Sequence, residues 1–555
     1  VWRCPICTYD NEDSFSACDI CGVLRNPLVK ANDRSESAGG ILSSVSETNV
    51  FVEPNLTDKG RENFNGVLEK SYSGTSSGKK LVDFTSESSN SPYPSSLKPK
   101  ADIETKPTSL EPYNSKKHTM PEMLEGISNQ LNLAVVGHVD SGKSTLCGRL
   151  LHLLGSVSQK DMKKFEEEAK QIGKGSFAYA WTLDESSEER ERGITMTVGV
   201  AFFKSGKYDV VLLDSPGHRD FVPNMISGAT QADAAILVID GSMGSFEAGM
   251  DAEKGQTREH AQVIRSFGVD QIIVVVNKMD VVGFSEERYV AIKEKLGTFL
   301  RSCGYKDSSI SYIPASAIEN QNLIAKPSDD RLYWFEGPSV LEAIDSIQLP
   351  ARDYEKPLLM PVCDVIKSES ERRILACGKL ERGAVFAGRK VLIMPSGEMA
   401  SVECLQRDAV VCDVARAGDH VALSLRGIDD RYVVSGGVIC DPEYPVGVGR
   451  HFELKILVLD ISTPILIGAQ LEFHVHHAKN AARVEKLLSV LDPKTGSVKK
   501  KSPRYLLAKQ SAAVEVSVDG SVCVEEYSKC RALGRVFLRW SGRCVAIGIV
   551  TRVIQ

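Results

Sequence analysis

The sequence lacks the long apolar run that a membrane helix requires. No stretch of about 18 apolar residues occurs in the 555-residue chain, and the amino end shows no signal-peptide pattern. An excess of positive charge is also absent: the formal net charge is −6, which excludes a uniformly basic protein that coats nucleic acid. We expect a cytoplasmic protein with no membrane segment. Because the first residue is Val1 rather than Met, we expect the natural start to lie upstream.

A regular cysteine framework, as in disulfide-stabilised secreted proteins, is missing too. Of the 14 cysteines, ten are scattered, mostly within apolar stretches. We interpret these as unreactive buried thiols in a reducing compartment. The other four are concentrated near the amino end, at Cys4, Cys7, Cys18 and Cys21.

These four cysteines form two pairs, each separated by two residues, as in closed structural zinc sites. Four thiolates can coordinate Zn²⁺ tetrahedrally. A segment of about 20 residues buries too little apolar surface to fold alone, so metal binding would supply its folding free energy. The spacing therefore predicts a zinc finger.

Composition divides the remaining chain into a linker and three domains. The linker is rich in serine, and its apolar residues occur singly or in pairs, which predicts disorder. From Leu131, short apolar runs alternate with helix-length amphipathic segments, as in a parallel α/β sheet. Beyond Pro350, short strand-like runs separated by turn signals favour two antiparallel β-barrels. The predicted boundaries are 1–22 for the zinc finger, 23–125 for the disordered linker, 128–352 for the α/β domain, 356–446 for β-barrel domain 2 and 449–555 for β-barrel domain 3.

The α/β domain begins with a phosphate-binding loop of the pattern G-x-x-x-x-G-K-[ST]. The loop follows an apolar strand and opens a helix, so backbone N–H groups at the helix N-terminus can hold anionic phosphates. Lys143 would reach the β- and γ-phosphates, and the Ser144 hydroxyl would bind Mg²⁺. The predicted phosphate-binding residues are Gly137, His138, Val139, Asp140, Ser141, Gly142, Lys143, Ser144 and Thr145.

Two further segments supply groups for Mg²⁺ and the γ-phosphate. Asp214 follows the apolar run 210–213, where a carboxylate can hold Mg²⁺, and the Gly217 N–H can sense the γ-phosphate. The charged segment 189–195 would usually be a solvated surface, and we interpret most of it in that way. Thr195, however, lies where a mobile loop would place a hydroxyl on Mg²⁺ only while the γ-phosphate is present. This predicts a two-state switch.

Two motifs predict recognition of guanine. The Asp280 carboxylate, which follows the apolar run 272–276, can accept hydrogen bonds from the N1–H and 2-amino groups of guanine, which adenine lacks. A backbone N–H from the pair Ser316 and Ala317 can donate to guanine O6. All these motifs end strands of one sheet, where an open α/β sheet binds its ligand. They predict a P-loop GTPase domain that binds GTP or GDP, with base-binding residues Asn277, Lys278, Asp280, Ser316 and Ala317.

These motifs resemble those of the translational GTPases of the elongation-factor-like superfamily. The resemblance covers the chain from about residue 130 to its end and includes both barrels. It rests on segments 138–144, 189–195, 214–218 and 255–260. Within the superfamily, the chain is similar to the ribosome-rescue GTPases named for suppression of Hsp70 subfamily B defects, whose partner is Pelota. This similarity rests on segments 176–181, 221–229 and 246–249.

The resemblance implies a mechanism and partners. His218 would position the attacking water once the ribosome orders the switch, and Val139 and Ile194 would form the apolar gate that keeps it away until then. The implied protein is a monomeric, ribosome-stimulated GTPase that delivers a Pelota-like partner to stalled ribosomes for rescue and mRNA quality control. Segment 372–378 lacks the Gly-Thr pattern typical of the family, which argues against a tRNA cargo.

Alternatives remain open for the whole chain and for its zinc finger. The chain could instead be a stop-codon release-factor GTPase, or an adaptor linking ribosomes to RNA decay or ubiquitin pathways. The zinc finger resembles those of Ran-binding nucleoporins. Thr8, Tyr9 and Ile20 are conservative variants of the residues at these places in ubiquitin-binding members. We rank ubiquitin first as its ligand, an unknown protein second and RNA third.

Overall fold

A computed structural model describes residues 2–3, 10–11 and 128–554, apart from residues 172–176, 184–185, 193, 252–254, 328–329, 369–372 and 494. The chain divides into two compact units, Val1–Glu104 and Thr105–Gln555. In the first unit, the described residues form strands β1 (Trp2–Arg3) and β2 (Asp10–Asn11), which pair antiparallel.

The predicted zinc finger and linker fall almost wholly outside the described residues. This applies to the linker 23–125 and to Cys4, Cys7, Cys18, Cys21, Thr8, Tyr9 and Ile20. Their roles therefore stay predictions. Within the described ranges, no helix is long and apolar enough to span a membrane.

The second unit begins with an α/β sheet. Its strands are β3 (Gln130–Gly137), β4 (Gly199–Lys204), β5 (Asp209–Asp214), β6 (Ala234–Asp240), β7 (Ile272–Asn277) and β8 (Ile310–Pro314). They lie in the order β4-β5-β3-β6-β7-β8, with all neighbours parallel except the antiparallel pair β4 and β5. Strands β3, β5 and β7 are buried along their whole length, because both faces of the sheet are covered. Their sequences are therefore continuous apolar runs rather than alternating ones.

The helices of this domain are α1 (Lys143–Leu153), α2 (Gln159–Gln171), α3 (Ser187–Arg192), α4 (Val222–Gln231), α5 (Ser245–Gly249), α6 (Gln256–Ser266), α7 (Glu286–Ser302) and α8 (Val340–Ser346). Helices cover both faces of the sheet, whereas α2 packs in a separate small core with Trp181. Met225, Ile264 and Leu296 belong to the core on one face, and Leu146 and Ile344 belong to the core on the other. The carboxyl ends of the parallel strands are left to the connecting loops.

An antiparallel half-barrel follows. Its strands are β9 (Leu359–Pro361), β10 (Asp364–Ser368), β11 (Arg373–Lys379), β12 (Ala384–Phe386), β13 (Lys390–Met394), β14 (Glu398–Arg407), β15 (Val410–Cys412), β16 (Val414–Arg416), β17 (His420–Arg426) and β18 (Val438–Cys440). The main sheet runs β10-β11-β17-β14-β13-β18-β9, and β10 and β9 are its open ends. Val391, Leu405 and Leu423 fill its core.

The last part is a closed antiparallel barrel. Its strands are β19 (Val448–Val458), β20 (Ile465–Leu466), β21 (Gln470–Val475), β22 (Ala478–Leu491), β23 (Val498–Lys501), β24 (Tyr505–Leu506), β25 (Ser511–Cys523), β26 (Arg535–Trp540) and β27 (Arg543–Ile554). The order β21-β26-β27-β19-β25-β22 closes because β22 also pairs with β21. Phe452 and Phe473 stack inside it, with ring centroids 5.5 Å apart. The predicted fold class, an α/β domain followed by two antiparallel barrels, is confirmed, and the first barrel is a half-barrel.

A buried ion cluster joins the α/β domain to the half-barrel. Asp233, only 1% exposed, lies 2.9 Å from the Lys379 ammonium and 2.6 Å from the Arg352 guanidinium. Burial alone would raise the pKa of Asp233, but the charges and hydrogen bonds of Lys379 and Arg352 hold it well below its usual value. The carboxylate is therefore ionised and compensated at neutral pH.

The closed barrel also contacts the α/β domain directly. Phe267 and Phe537 pack with ring centroids 4.3 Å apart. The Arg219 guanidinium donates to the Ser541 carbonyl at 2.9 Å. The Cys544 N–H donates to a Glu259 carboxylate oxygen at 3.1 Å. The β26–β27 hairpin thus touches the segment that follows His218 as well as helix α6.

We predict that Asp233→Asn lowers the free energy of unfolding by about 3–5 kcal/mol. The variant removes the carboxylate that bonds both buried cations and leaves Lys379 with the more distant Glu381 carboxylate at 3.9 Å. Asp430→Asn is the control, since Asp430 pairs with Lys367 at 2.8 Å on the surface and should contribute at most about 1 kcal/mol. Urea unfolding of the full chain measures both. In the wild type, Asp233 contributes fully to the free energy of unfolding above about pH 4, the pKa of an aspartate in the unfolded chain. The contribution is lost as the pH falls towards the pKa of Asp233 in the folded state, which is lower. Equal losses in the two variants would contradict a stabilising role for the buried Asp233 charge.

Candidate nucleotide-binding site

A cleft of about 470 Å³ opens at the carboxyl end of β3. Gly137 is the last residue of this strand. Only glycine fits there, because an added Cβ would lie 2.3 Å from the Val238 carbonyl oxygen. Gly142 precedes α1 with φ of 88°, a left-handed conformation that favours glycine. The lining residues are Val139, Asp140, Gly142, Lys143, Ser144, Thr145, Phe177, Ala180, Ile194, Thr195 and Gly217.

The cationic group of the cleft is the buried Lys143. Its ammonium donates to the His138 carbonyl at 2.9 Å, and the Ser141 hydroxyl donates to the same oxygen at 2.9 Å. Burial lowers the pKa of Lys143, and the nearby Asp214 carboxylate opposes that shift. An anion in the cleft would further favour the charged ammonium.

Asp214 lies buried at the end of β5, beside the loop. Neither of its carboxylate oxygens accepts a hydrogen bond of normal geometry, although the Ser144 hydroxyl is near enough to lower the pKa. Burial outweighs that effect and raises the pKa of Asp214 to about 6. The Ser144 and Thr195 hydroxyl oxygens are 2.9 Å apart. Two hydroxyls and a carboxylate without a normal hydrogen bond therefore lie close together.

The guanine motifs lie on the neighbouring loops and are tied to the phosphate loop. The Asn277 amide donates to the Ser141 carbonyl at 3.0 Å, and its oxygen accepts from the Ala317 N–H at 3.1 Å. The Lys278 ammonium donates to the Asp140 carbonyl at 2.6 Å. One oxygen of Asp280 is buried without a hydrogen-bond partner. Ser316 is buried, and its hydroxyl accepts from the Glu319 N–H at 3.1 Å.

His218 lies apart from the other predicted site residues. It does not line the cleft, and 40% of its side chain is exposed. Its Nδ1 accepts from the Asp220 N–H at 3.3 Å, and its ring packs near Phe221. Val139 and Ile194, in contrast, both line the cleft. The two residues predicted to form the gate therefore lie at the cleft, and the histidine lies outside it.

Three contributors to the site were missed by the sequence reasoning. Phe177 and Ala180 line the cleft, although their segment was interpreted only as a marker of the subgroup. His260 is buried, and its Nδ1 accepts from the Gly137 N–H at 3.3 Å. Burial, helped by the Lys143 charge, lowers the pKa of His260 to about 3. The imidazole is therefore neutral at neutral pH, as an acceptor must be.

Comparisons with known proteins agree with this geometry. The family model for the elongation factor Tu GTP binding domain matches residues 128–351, and the model for the GTP-eEF1A C-terminal domain-like family matches residues 451–551. Elongation factor 1-alpha of Desulfurococcus mucosus is 40% identical over 425 residues, which cover 76% of this chain and 96% of that protein. The chain belongs to the EF-Tu/eEF1A superfamily of translational GTPases.

Two further similarities concern a longer relative and a distant structure. Protein HBS1 of Drosophila melanogaster is 42% identical over 426 residues, which cover 77% of this chain but only 63% of that protein. The crystal structure of the Saccharomyces cerevisiae Ski7 GTPase-like domain, bound to GTP, has a TM-score of 0.63 and 20% identity. That match covers 76% of this chain and 97% of the Ski7 chain, and it shows the shared fold.

Membership of this superfamily shows that the chain binds GTP and GDP and is a GTPase. The resemblance inferred from the sequence motifs is confirmed at this level.

We predict that Gly217→Ala weakens GTP binding at least tenfold, about 1.4 kcal/mol. The added Cβ would lie 2.3 Å from the Lys143 ammonium and 3.0 Å from the His138 carbonyl oxygen, so Lys143 must move. Gly199→Ala, at the start of β4, is the control, because its added Cβ would lie at an ordinary 3.4 Å from the nearest atom, the Leu183 Cβ. Calorimetric titration measures both, and unchanged affinity in Gly217→Ala would contradict the steric argument.

Proposed function

We propose that this GTPase delivers a Pelota-like protein to stalled ribosomes for rescue and mRNA quality control, and that it is a cytoplasmic monomer. Identity alone does not distinguish the partner, because HBS1 is 42% identical over 426 residues and elongation factor 1-alpha is 40% identical over 425. The observation that carries the proposal is the set of subgroup segments 176–181, 221–229 and 246–249. We further propose 128–352, 356–446 and 449–555 as the boundaries of the three folded domains that act on the ribosome.

The residues at the cleft fit a magnesium ion. Asp214 has two buried oxygens without a normal hydrogen bond, and the hydroxyls of Ser144 and Thr195 meet beside it. We propose that these three residues hold Mg²⁺, directly or through water. The ion would neutralise charge on the β- and γ-phosphates. Lys143 and the loop N–H groups would hold the phosphates themselves, and the Gly217 N–H would contact the γ-phosphate.

We propose that the base is read by Asp280. Its buried oxygen without a partner is an acceptor of the kind that the N1–H and 2-amino groups of guanine require. Asn277 holds the Ser141 and Ala317 backbones, so it would set the distance between the phosphate loop and the base loop. Lys278, bonded to Asp140, would act in the same way.

Hydrolysis would require His218 to move. The side chain lies outside the cleft, whereas Val139 and Ile194 line it. We propose that ribosome binding opens this gate and brings His218 to the attacking water. In the absence of the ribosome, the exposed position of His218 keeps the GTP complex long-lived.

The zinc finger is part of the proposal only through its sequence. We propose that Cys4, Cys7, Cys18 and Cys21 hold Zn²⁺, and that Thr8, Tyr9 and Ile20 contact ubiquitin. Both assignments concern residues outside those that the structure describes.

We predict that His218→Ala keeps GTP affinity within about twofold and lowers ribosome-stimulated turnover by about 10²–10⁴, the usual contribution of a positioned proton-transfer group. His451→Ala is the control, because His451 pairs with Glu515 in the closed barrel, away from the cleft. Single-turnover hydrolysis with and without ribosomes measures the effect. Undiminished turnover in His218→Ala would refute the catalytic assignment.

The partner is tested by affinity purification of the full chain with a non-hydrolysable GTP analogue. We expect Pelota to be retained with the analogue and released with GDP. Recovery of aminoacyl-tRNA or of a stop-codon release factor in its place would overturn the rescue assignment and favour delivery or termination.

A further inference from the structure

The backbone N–H and the backbone carbonyl of Met196 are each held by a side chain from a different element. Met196 directly follows Thr195, the residue proposed to close on Mg²⁺. We infer that Glu189 and Asn224 are positioning residues that together stabilise the closed, triphosphate-bound position of Thr195; this inference rests on the proposed function of the cleft. We call this pair the Met196 clamp.

Glu189 forms the first half of the Met196 clamp. Although it stands in a charged segment, it is only 3% exposed. One carboxylate oxygen accepts from the Met196 N–H at 2.9 Å and from the Thr197 N–H and hydroxyl at 3.0 and 3.1 Å. The other accepts from the Ser186 N–H and hydroxyl at 3.2 and 3.0 Å. The interpretation of this segment as mostly solvated surface is therefore wrong for Glu189.

These contacts show that Glu189 joins two local structures. Its bonds with Ser186, together with the bond from the Glu189 N–H to the Ser186 hydroxyl at 3.1 Å, form a capping box at the start of α3. Its bonds to Met196 and Thr197 fasten the segment leading into β4 to that same helix end. Burial would raise the pKa of Glu189, but the hydrogen bonds from Thr197, Met196 and Ser186 lower it below the usual value. The acceptor is therefore a carboxylate at neutral pH.

Asn224 forms the second half of the Met196 clamp. It lies in the first turn of α4, and its side-chain amide donates to the Met196 carbonyl at 2.6 Å. Helix α4 directly follows the short helix Arg219–Phe221, which starts next to His218. One side chain thus links the segment that carries Thr195 to the segment that carries His218.

Fixing the backbone N–H and carbonyl of Met196 restricts Thr195, because the Cα atoms of neighbouring residues are held about 3.8 Å apart. In the clamped structure, the Thr195 hydroxyl lies 2.9 Å from the Ser144 hydroxyl. Loss of either half of the clamp would let Thr195 leave this position, and a displacement of α4 would have the same result through Asn224. Since Thr195 is expected at Mg²⁺ only with the γ-phosphate, the clamp should favour GTP and leave GDP binding unaffected.

The test compares affinities for GTP and GDP in the full chain. Glu189→Gln keeps the shape but replaces one acceptor oxygen with an amide that cannot accept. We expect the dissociation constant for a non-hydrolysable GTP analogue to rise about tenfold, with that for GDP changed less than about twofold. Glu188→Gln is the matched control: Glu188 precedes Glu189 on α3, is exposed and pairs with Arg192 at 2.7 Å, so neither affinity should change.

Asn224→Ala is the second variant, and it keeps the inference testable if Glu189→Gln fails to fold. It should show the same selective loss of GTP affinity. The double variant should lose less than the sum of the two, because both side chains bond the peptide group between Met196 and Thr197. Hydrogen exchange at Met196 and Thr197 should be faster in both variants with the GTP analogue bound, and unchanged with GDP bound.

Two results would overturn the inference. Equal loss of GTP and GDP affinity would show that Glu189 and Asn224 only support the fold of the cleft. Unchanged affinities in variants that fold would show that the clamp does not control Thr195. A wild-type chain that binds neither nucleotide would instead refute the proposed function, so the two failures are distinguishable.

Discussion

The central constraint in this molecule is that opposite charges face one cleft from buried positions. Lys143 and Asp214 are removed from water, and burial lowers the pKa of the first and raises the pKa of the second to about 6. Taking charges out of water costs free energy unless partners compensate them. Lys143 and Asp214 partly compensate each other, and a nucleoside triphosphate together with the magnesium ion that we propose would add the remaining partners. The charges of the cleft therefore favour a phosphate-bearing ligand.

The loops that would sense the ligand are held by local hydrogen bonds rather than by a hydrophobic core. The Met196 N–H donates to Glu189, and the Met196 carbonyl accepts from Asn224. Because Glu189 is only 3% exposed, breaking its bonds costs free energy unless water reaches the carboxylate. His218 lies outside the cleft on a different segment, which supports the proposal that closing on the nucleotide and aligning for hydrolysis are separate events.

The two barrels contact the α/β domain through chemically different interfaces. The half-barrel is joined by the buried ion cluster of Asp233 with Lys379 and Arg352. The closed barrel contacts α6 and the segment after His218 through aromatic packing and single hydrogen bonds. A buried ion cluster is rigid because each charge requires its partner, whereas scattered single bonds are replaced more readily.

Most of the fold and the composition of the cleft could be predicted from the sequence. Apolar runs alternating with amphipathic segments indicate an α/β sheet, and the loop from Gly137 to Ser144 has a pattern set by local backbone geometry. Local patterns of this kind survive in the sequence because neighbouring residues create them. The burial of Glu189, the pairing of Asp233 with residues more than 100 positions away and the position of His218 outside the cleft were not predictable in this way. They depend on distant segments meeting, and only the tertiary structure decides which charged residue is solvated and which is buried with a partner.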